Sequence, residues 1–333
     1  YAWLHHDLTN SGFVVGDNGV LIIDSLRVPS FAKELLGDIK RITSKPVQYV
    51  VDTHAHWDHS WGNEVFPAAT IIGHQNCYNE MTDIEWNEAW RHSVVDEAAP
   101  WSDEASIVNI TPPSLTYATS MRLYFGEREI VLHHLGKAHT SGDTFIHLPK
   151  ERLLFTGDVV QSKGIPYFGD CYPDDWPTTD DNVLTLDIVR FTSGHGPVGT
   201  YEDLVAGRDF IHQLVDFMKQ AKNEGWKVTG IEPSPDARKK ASEKGIDLFQ
   251  NIDSVSTQKF DAITMWHVLE HVPDLQHQIE WLKNHLNEKG VLFVAVPNFN
   301  SLDAQHYKNF WAAWDVPRHL HHFSAKSIKT LFE

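Results

Sequence analysis

The sequence predicts an α/β protein built in two parts, and three observations carry that reading. At 333 residues the chain exceeds one ordinary domain, for which ~150 residues is a fair expectation. Short β-rich runs alternate with stretches whose apolar residues recur at helical spacing, the pattern of layered α/β structure. Near residue 200 the texture changes from closely spaced short strands to a regular alternation of strand and helix. A hydrophobic fraction of 41%, with 11% aromatics, is enough to fill two cores.

Taken in order, residues 13–24, FVVGDNGVLIID, read as two strands around the hairpin signal GDNG. SFAKELLGDIKRIT follows a Pro29-Ser30 start signal and carries apolar residues at helical spacing. PVQYVVDTH and ATIIGH are short buried strands, and residues 76–113 are polar and aromatic with helical patches. MRLYFG, REIVLHHLG, DTFIHLP and RLLFTGD add four strands separated by turns. YEDLVAGRDFIHQLVDFMKQAKNEG reads as one long helix ending at Gly225 and joining the two parts. Beyond it come strand WKVTGIEP, helix PDARKKASEKG, strand KFDAITMWHV, helix LQHQIEWLKNHLNEKG and strand VLFVAVPN, a run of parallel-sheet units. There is no internal repeat, low-complexity tract or Gly/Ser linker.

Composition narrows the function classes. The formal net charge of −17, from 45 acidic and 28 basic residues, repels a phosphate backbone and argues against nucleic acid as partner. No stretch approaches the ~18 uninterrupted apolar residues of a membrane helix, so no membrane partner is expected. Cys77 and Cys171 are too few for a disulfide framework and lack the paired spacing of a redox motif, which points to a reducing, cytoplasmic setting. Because the chain opens at Tyr1 rather than Met, a removed signal peptide stays open as an alternative. Nothing in the sequence addresses oligomeric state.

The chemistry concentrates in THAHWDHSWGN, residues 53–63, where His54, His56, Asp58 and His59 crowd one turn at the end of an apolar run. A catalytic zinc site wants about three protein ligands plus water, so this turn holds two incomplete halves. The partners expected are further His or Asp residues at strand ends: His139 in AHTSGD, Asp158 in LLFTGDVV and His195 in TSGHGPV. Each adjoins glycine, where backbone approaches a metal closely. Counting gives His54, His56 and His139 for one ion, Asp58, His59 and His195 for a second, and Asp158 between them. His133, His134, His5, His6, His321 and His322 read as packed or surface residues. Trp57, Trp61, Tyr167, Phe168 and Trp176 lie near ligands in sequence and read either as the apolar lining of a substrate pocket or as packing residues.

The ordered motifs HxHxDH, HTxGD, TGD and GHG resemble the metallo-β-lactamase superfamily over residues 1–220. The resemblance implies an αββα sandwich with two zinc ions at the edge of its sheets, the ligand roles just given, and Asp158 as the bridging carboxylate. It implies hydrolysis of an ester, thioester, lactone or amide bond of a small acyl substrate by a metal-bound hydroxide, with Asp58 also able to orient the nucleophile. His56 argues against the redox di-iron branch and Asp158 against lactamases proper, while the glutathione-thioester branch appends a helical domain not found here. Iron or manganese can occupy the same ligand set.

Residues 225–333 resemble class I S-adenosylmethionine-dependent methyltransferases, through IEPSPDARKKASEKGI, MWHVLEHVPD, VLFVAVPN and HLHHFS. By that resemblance Glu232, at a strand end, would accept hydrogen bonds from ribose hydroxyls. The glycine-rich turn about 20 residues upstream is replaced by LVAGRDFIHQLVDF, a helical pattern with one glycine, and the last strands are missing. The expectation is therefore an incomplete Rossmann-like domain, with S-adenosylmethionine binding and methyl transfer both doubtful. Two other readings stay open: a methyltransferase with an accessory metal domain, and a non-catalytic metal-binding scaffold.

Overall fold

The computed structural model describes residues 1–4, 8–96, 99–243, 245–255 and 258–332. The chain divides into two compact units, Tyr1–Gly225 and Trp226–Glu333.

The first unit is built on two six-stranded sheets. One runs β1 (Ala2–Trp3), β2 (Ser11–Val15), β3 (Val20–Ile23), β4 (Val47–Val51), β5 (Thr70–His74) and β6 (Leu115–Tyr117) in spatial order. The first three pair antiparallel and β3 to β6 pair parallel. The other sheet orders β12 (Gly199–Thr200), β11 (Arg190–Ser193), β10 (Leu153–Gly157), β9 (Phe145–Leu148), β8 (Arg128–His133) and β7 (Ser120–Phe125). Only β10 and β11 pair parallel there.

Period-two alternation sorts the strand side chains into layers. Leu21, Ile23, Val51 and Ile72 meet Ile130, Leu132, Ile146 and Phe155 between the sheets. The intervening Val20, Ile22 and Val50 pack outward on Ala32, Leu35 and Ile39 of α1 (Pro29–Ile42). Proline at the start of α1 suits a position whose N–H has no helical partner. On the far side, Phe145, Leu154 and Phe191 pack on α6 (Trp176–Val183) and α7 (Tyr201–Asn223) through Trp176, Val183, Leu204, Ile211 and Val215. Thr200 and Asp203 form a reciprocal capping box that starts α7. The layers are therefore helix, sheet, sheet, helix. The polar and aromatic stretch after β5 forms α3 (Gln75–Thr82), α4 (Ile84–Asp96) and α5 (Ser102–Ile107).

The second unit holds two separate two-stranded parallel sheets. The first pairs β13 (Gly230–Ile231) with β14 (Leu248–Phe249) beside α8 (Pro235–Glu243). The second pairs β15 (Phe260–Trp266) with β16 (Leu286–Ala295) around α9 (Leu275–His285), with α10 (Leu302–Tyr307) and α11 (Ala325–Phe332) beyond. Two segments depart from the sequence expectation. The helix expected over 275–290 stops at His285, and Leu286 turns extended because 286–295 pairs with β15, where Val291, Leu292, Phe293 and Val294 outweigh the helical preference of LNEK. Of the strand expected over 226–233 only Gly230 and Ile231 pair; Val228 is 90% exposed, so the run has no buried face to hold it extended. Among the described residues no helix is long and apolar enough to cross a membrane.

Candidate metal centre

Every predicted ligand sits just beyond the end of a strand or on the turn that follows one. Chain leaving β4 turns through His54 and His56 into the single turn α2 (Trp57–Ser60), which carries Asp58 and His59. His139 lies in the loop between β8 and β9, Asp158 directly follows β10, and His195 follows β11. Asp143 orders the His139 loop by accepting hydrogen bonds from the backbone N–H of Ala138 and Thr140, the residues flanking the histidine. Burial pushes the Asp143 carboxyl up to about 8 against those bonds.

The structure gathers these residues into three overlapping groups, each with its ligand atoms within 4.8 Å of one another: His54, His56 and His139; Asp58, His59 and His195; and His54, His59 and Asp158. Asp158 thus shares a group with a member of each half-site. Its carboxylate lies 3.4 Å from His59 Nε2, 3.8 Å from His139 Nε2 and 3.1 Å from His195 Nε2. Asp58 Oδ2 lies 3.2 Å from His195 Nε2.

What each imidazole does with its outer nitrogen decides what the inner one offers. Thr53 Oγ1 donates to Asp24 Oδ2, so at 2.9 Å it accepts from His54 Nδ1. His59 Nδ1 donates to Asp24 Oδ2 (2.8 Å), His139 Nδ1 to the Tyr167 carbonyl (3.0 Å), His195 Nδ1 to the Leu8 carbonyl (3.0 Å) and His56 Nε2 to Asp170 (3.2 Å). With those outer nitrogens committed as donors, the rings turn their other nitrogens inward. His54 Nε2 and His139 Nε2 stand 3.1 and 2.9 Å from His56 Nδ1. Three converging lone pairs repel one another unless a cation sits among them.

Charge differs between the half-sites. Burial, then the neighbouring imidazoles, hold His54 well below its ordinary range, and burial with His56 lowers His139 to about 3. At the other half, burial opposes protonation of His195, yet the Asp158 and Asp58 carboxylates raise it to about 10; Asp58, Asp158 and Asp24 hold His59 well above its ordinary range against the same burial. Burial works against both carboxylates too, but His59 and His195 keep Asp58 and Asp158 well below the usual carboxylate range, with Arg27 adding to the effect on Asp58. The negative charge that draws protons there draws a cation equally. His59 Nε2 and Asp158 Oδ1 face each other in the buried interior at 3.4 Å without a well-formed hydrogen bond, an arrangement that a shared cation would complete. The donor set of imidazoles and carboxylates fits zinc or another borderline divalent cation.

Two glycines let the backbone approach. A β-carbon at Gly194 would stand 2.1 Å from Asp158 Oδ1 and 2.5 Å from His59 Cε1. Gly157 has φ +52 and crowds the Thr53 side chain, so it needs glycine on both counts.

Several residues tied to the site escaped the sequence reading. Asp24, at the end of an apolar strand, anchors both His59 and Thr53. Arg27 reaches Asp58 at 4.0 Å and also donates to Thr9, which donates to Asp58. Trp86 and Trp90 lie 6.0 and 5.1 Å from the His56 ring, with Tyr167 at 6.0 Å. Of the expected pocket aromatics, Tyr167 faces His56 in this wall and Trp176 meets the His139 ring at 6.1 Å. Trp57 and Trp61 sit in an apolar cluster with Val28, and Trp176 lies under α7 with Phe168 packed on it, because their backbone positions aim the rings into the core. His134 stacks on His74 at 3.9 Å, and His321 and His322 bond the Val272 and Trp314 carbonyls. His133 is half-buried on β8, and His5 and His6 lie outside the described residues. Glu232 belongs to the second unit, where its carboxylate accepts the Ser234 N–H at 2.7 Å.

Comparison with known proteins agrees with this architecture. The family model for the metallo-beta-lactamase superfamily matches residues 6–195, and that for a methyltransferase domain matches residues 201–333. A metallo-beta-lactamase type 2 of Bacillus cereus is 26% identical over 212 residues, covering 60% of this chain and 74% of that protein. The solved metallo-beta-lactamase of Pontibacter korlensis shares the fold with a TM-score of 0.52 at 18% identity, over 64% of this chain and 92% of that one. A ubiquinone biosynthesis O-methyltransferase of Actinobacillus pleuropneumoniae is 40% identical over 88 residues, 22% of this chain and 38% of that protein. Helix α7 is claimed by the methyltransferase match in sequence, yet it packs into the first unit's core. With more than half of its length matched by the family model and two sheets enclosed by helices around converging His and Asp side chains, the chain belongs to the metallo-beta-lactamase superfamily.

Proposed function

We propose that the unit Tyr1–Gly225 is a hydrolase holding two divalent cations, zinc before iron or manganese, and opening an ester, thioester, lactone or amide bond of a small acyl substrate. One observation carries it: five imidazoles, their outer nitrogens committed as donors, turn the other nitrogens on each other and on two buried carboxylates. His54, His56 and His139 would hold one cation and Asp58, His59 and His195 the other, with Asp158 between. Bound there, the cations would supply a water acidic enough to ionise near neutral pH and a Lewis acid for the carbonyl.

The chain's own residues do the rest. Asp24 holds His59 and, through Thr53, His54, fixing two rings at once. Asp58 stays ionised at neutral pH and accepts from Thr9, so it is placed to orient a water as well as to bind metal. Trp86, Trp90 and the half-exposed Tyr167 offer an apolar wall for the acyl part. The Bacillus cereus relative is named for β-lactams, whose ring is a cyclic amide and falls within the proposed bond types. Net charge of −17 disfavours a nucleic-acid substrate.

The test is metal content by plasma mass spectrometry alongside a panel of esters, thioesters, lactones and β-lactams. Asp158→Ala is expected to hold about one to two ions per chain fewer than wild type and to lose hydrolysis by at least ~10²-fold. Wild-type metal content in the variant would refute the ligand assignment; loaded wild type inert to the whole panel would refute the hydrolase. A second reading rests on the 40% identity to the O-methyltransferase, which favours methyl transfer from S-adenosylmethionine. Retention of radiolabelled S-adenosylmethionine on a filter by the full chain supports it, and absence of retention removes it.

A further inference from the structure

The second unit carries a separate His/Glu cluster that the hydrolase reading does not use. Donor atoms of Glu270, His271 and His319 lie within 4.8 Å of one another. Glu270 is fully buried; its Oε1 is met by His267 Nδ1 at 3.1 Å, and its Oε2 has no hydrogen-bond partner. A buried carboxylate oxygen left unmatched is costly unless positive charge reaches it. Both imidazoles are set as ligands. His271 Nδ1 donates to the Arg318 carbonyl at 3.0 Å and His319 Nδ1 to the Ala313 carbonyl at 2.8 Å, which leaves each Nε2 with its lone pair. The rings meet edge to face with centroids 4.7 Å apart. Asp315 Oδ2 stands 3.7 Å from His319 Nε2, within reach as a fourth donor.

The scaffold around the cluster is already tied. The Glu270 carbonyl accepts from the backbone N–H of Leu320 and of His321, at 2.8 and 3.1 Å, and His321 Nε2 bonds the Val272 carbonyl. Two segments distant in sequence are thereby held side by side. A tetrahedral zinc ion with bonds of about 2.1 Å sets its donors about 3.4 Å apart, a spacing that small shifts of the exposed His271 side chain, its Nδ1 still on the Arg318 carbonyl, would reach from the present 4.8 Å limit.

We propose that Glu270, His271 and His319 bind one divalent cation of the zinc, cobalt or nickel class, clamping the 267–271 turn to the 313–321 segment. Two imidazoles and one carboxylate select such borderline ions over magnesium, which takes an all-oxygen octahedron. The site lies wholly within the unit Trp226–Glu333 and does not depend on the hydrolase reading.

Metal-stripped full-length protein titrated with zinc against a chromophoric chelator tests it. Wild type is expected to take up one equivalent more than His271→Ala/His319→Ala at saturation. His271→Ala alone, which alters an exposed side chain and leaves the fold, is expected to weaken that one equivalent at least tenfold. Hydrolysis by the first unit should not change in either variant. Cobalt in place of zinc should add a visible d–d absorption that both variants lose. Identical zinc stoichiometry and affinity in wild type and His271→Ala would overturn the site, as would magnesium displacing the bound zinc at equal concentration.

Discussion

Asp180 shows how one side chain couples burial to pH. It lies on α6 at 1% exposure, and neither carboxylate oxygen has a hydrogen-bond partner. Burial, then the charge of Asp181, pushes its carboxyl up to about 8. An unfolded chain ionises the same group near 3.9, so the folded state holds this proton more tightly. Its contribution is fully present below about pH 4, declines as pH rises, and is gone above about 8. Asp180→Asn removes that titration. Thermal midpoints should be nearly unchanged at pH 4, while at pH 9 the variant should be stabilised by on the order of 1–3 kcal/mol. An equal shift at both pH values would show that packing, not charge, sets the effect.

Elements rather than residues decide what the candidate metal centre tolerates. Strand ends of β10 and β11 approach the ligands so closely that Gly194 has no room for a methyl group beside Asp158 and His59. Gly194→Ala should therefore remove about one metal equivalent and at least ~10-fold of hydrolysis with far-UV circular dichroism intact. Gly37, inside α1, meets nothing within 4 Å, and Gly37→Ala should stabilise by about 0.5–1 kcal/mol with metal content untouched. Equal metal loss in both would mean that neither effect is local. This scale also explains what was legible in the sequence. The convergence of these side chains was readable because His139, Asp158 and His195 each follow a β-rich run beside glycine, where backbone can approach a shared centre closely. Trp86 and Trp90 were not, because α4 reaches His56 only through tertiary packing. Of the two readings open for Trp57 and Trp61, packing is the one their apolar cluster shows, since neighbouring residues in a strand or turn face opposite ways. LNEKG suits a helix in isolation, and only pairing with β15 makes it extended.

The whole molecule combines two units with unlike cores. The first buries apolar side chains between its sheets and again beneath helices on both outer faces. The second relies on one cluster centred on Met265, Leu269, Ile279, Trp281 and Leu282. Unfolding enthalpy scales with size at about 0.7 kcal/mol per residue, so units of 225 and 108 residues should absorb about 160 and about 75 kcal/mol. Calorimetry should resolve two transitions in roughly that ratio, which identifies each unit without separating them. Metal bound only to the folded state at about a thousand times its dissociation constant adds about 4 kcal/mol. For the larger unit that raises the midpoint by about 8–16 °C. A chelator should lower the larger transition by that amount in wild type and by clearly less in Asp158→Ala, while His271→Ala should lose the chelator response of the smaller transition alone. A larger transition indifferent to chelator would mean that the His and Asp side chains around Asp158 hold no cation that folding depends on.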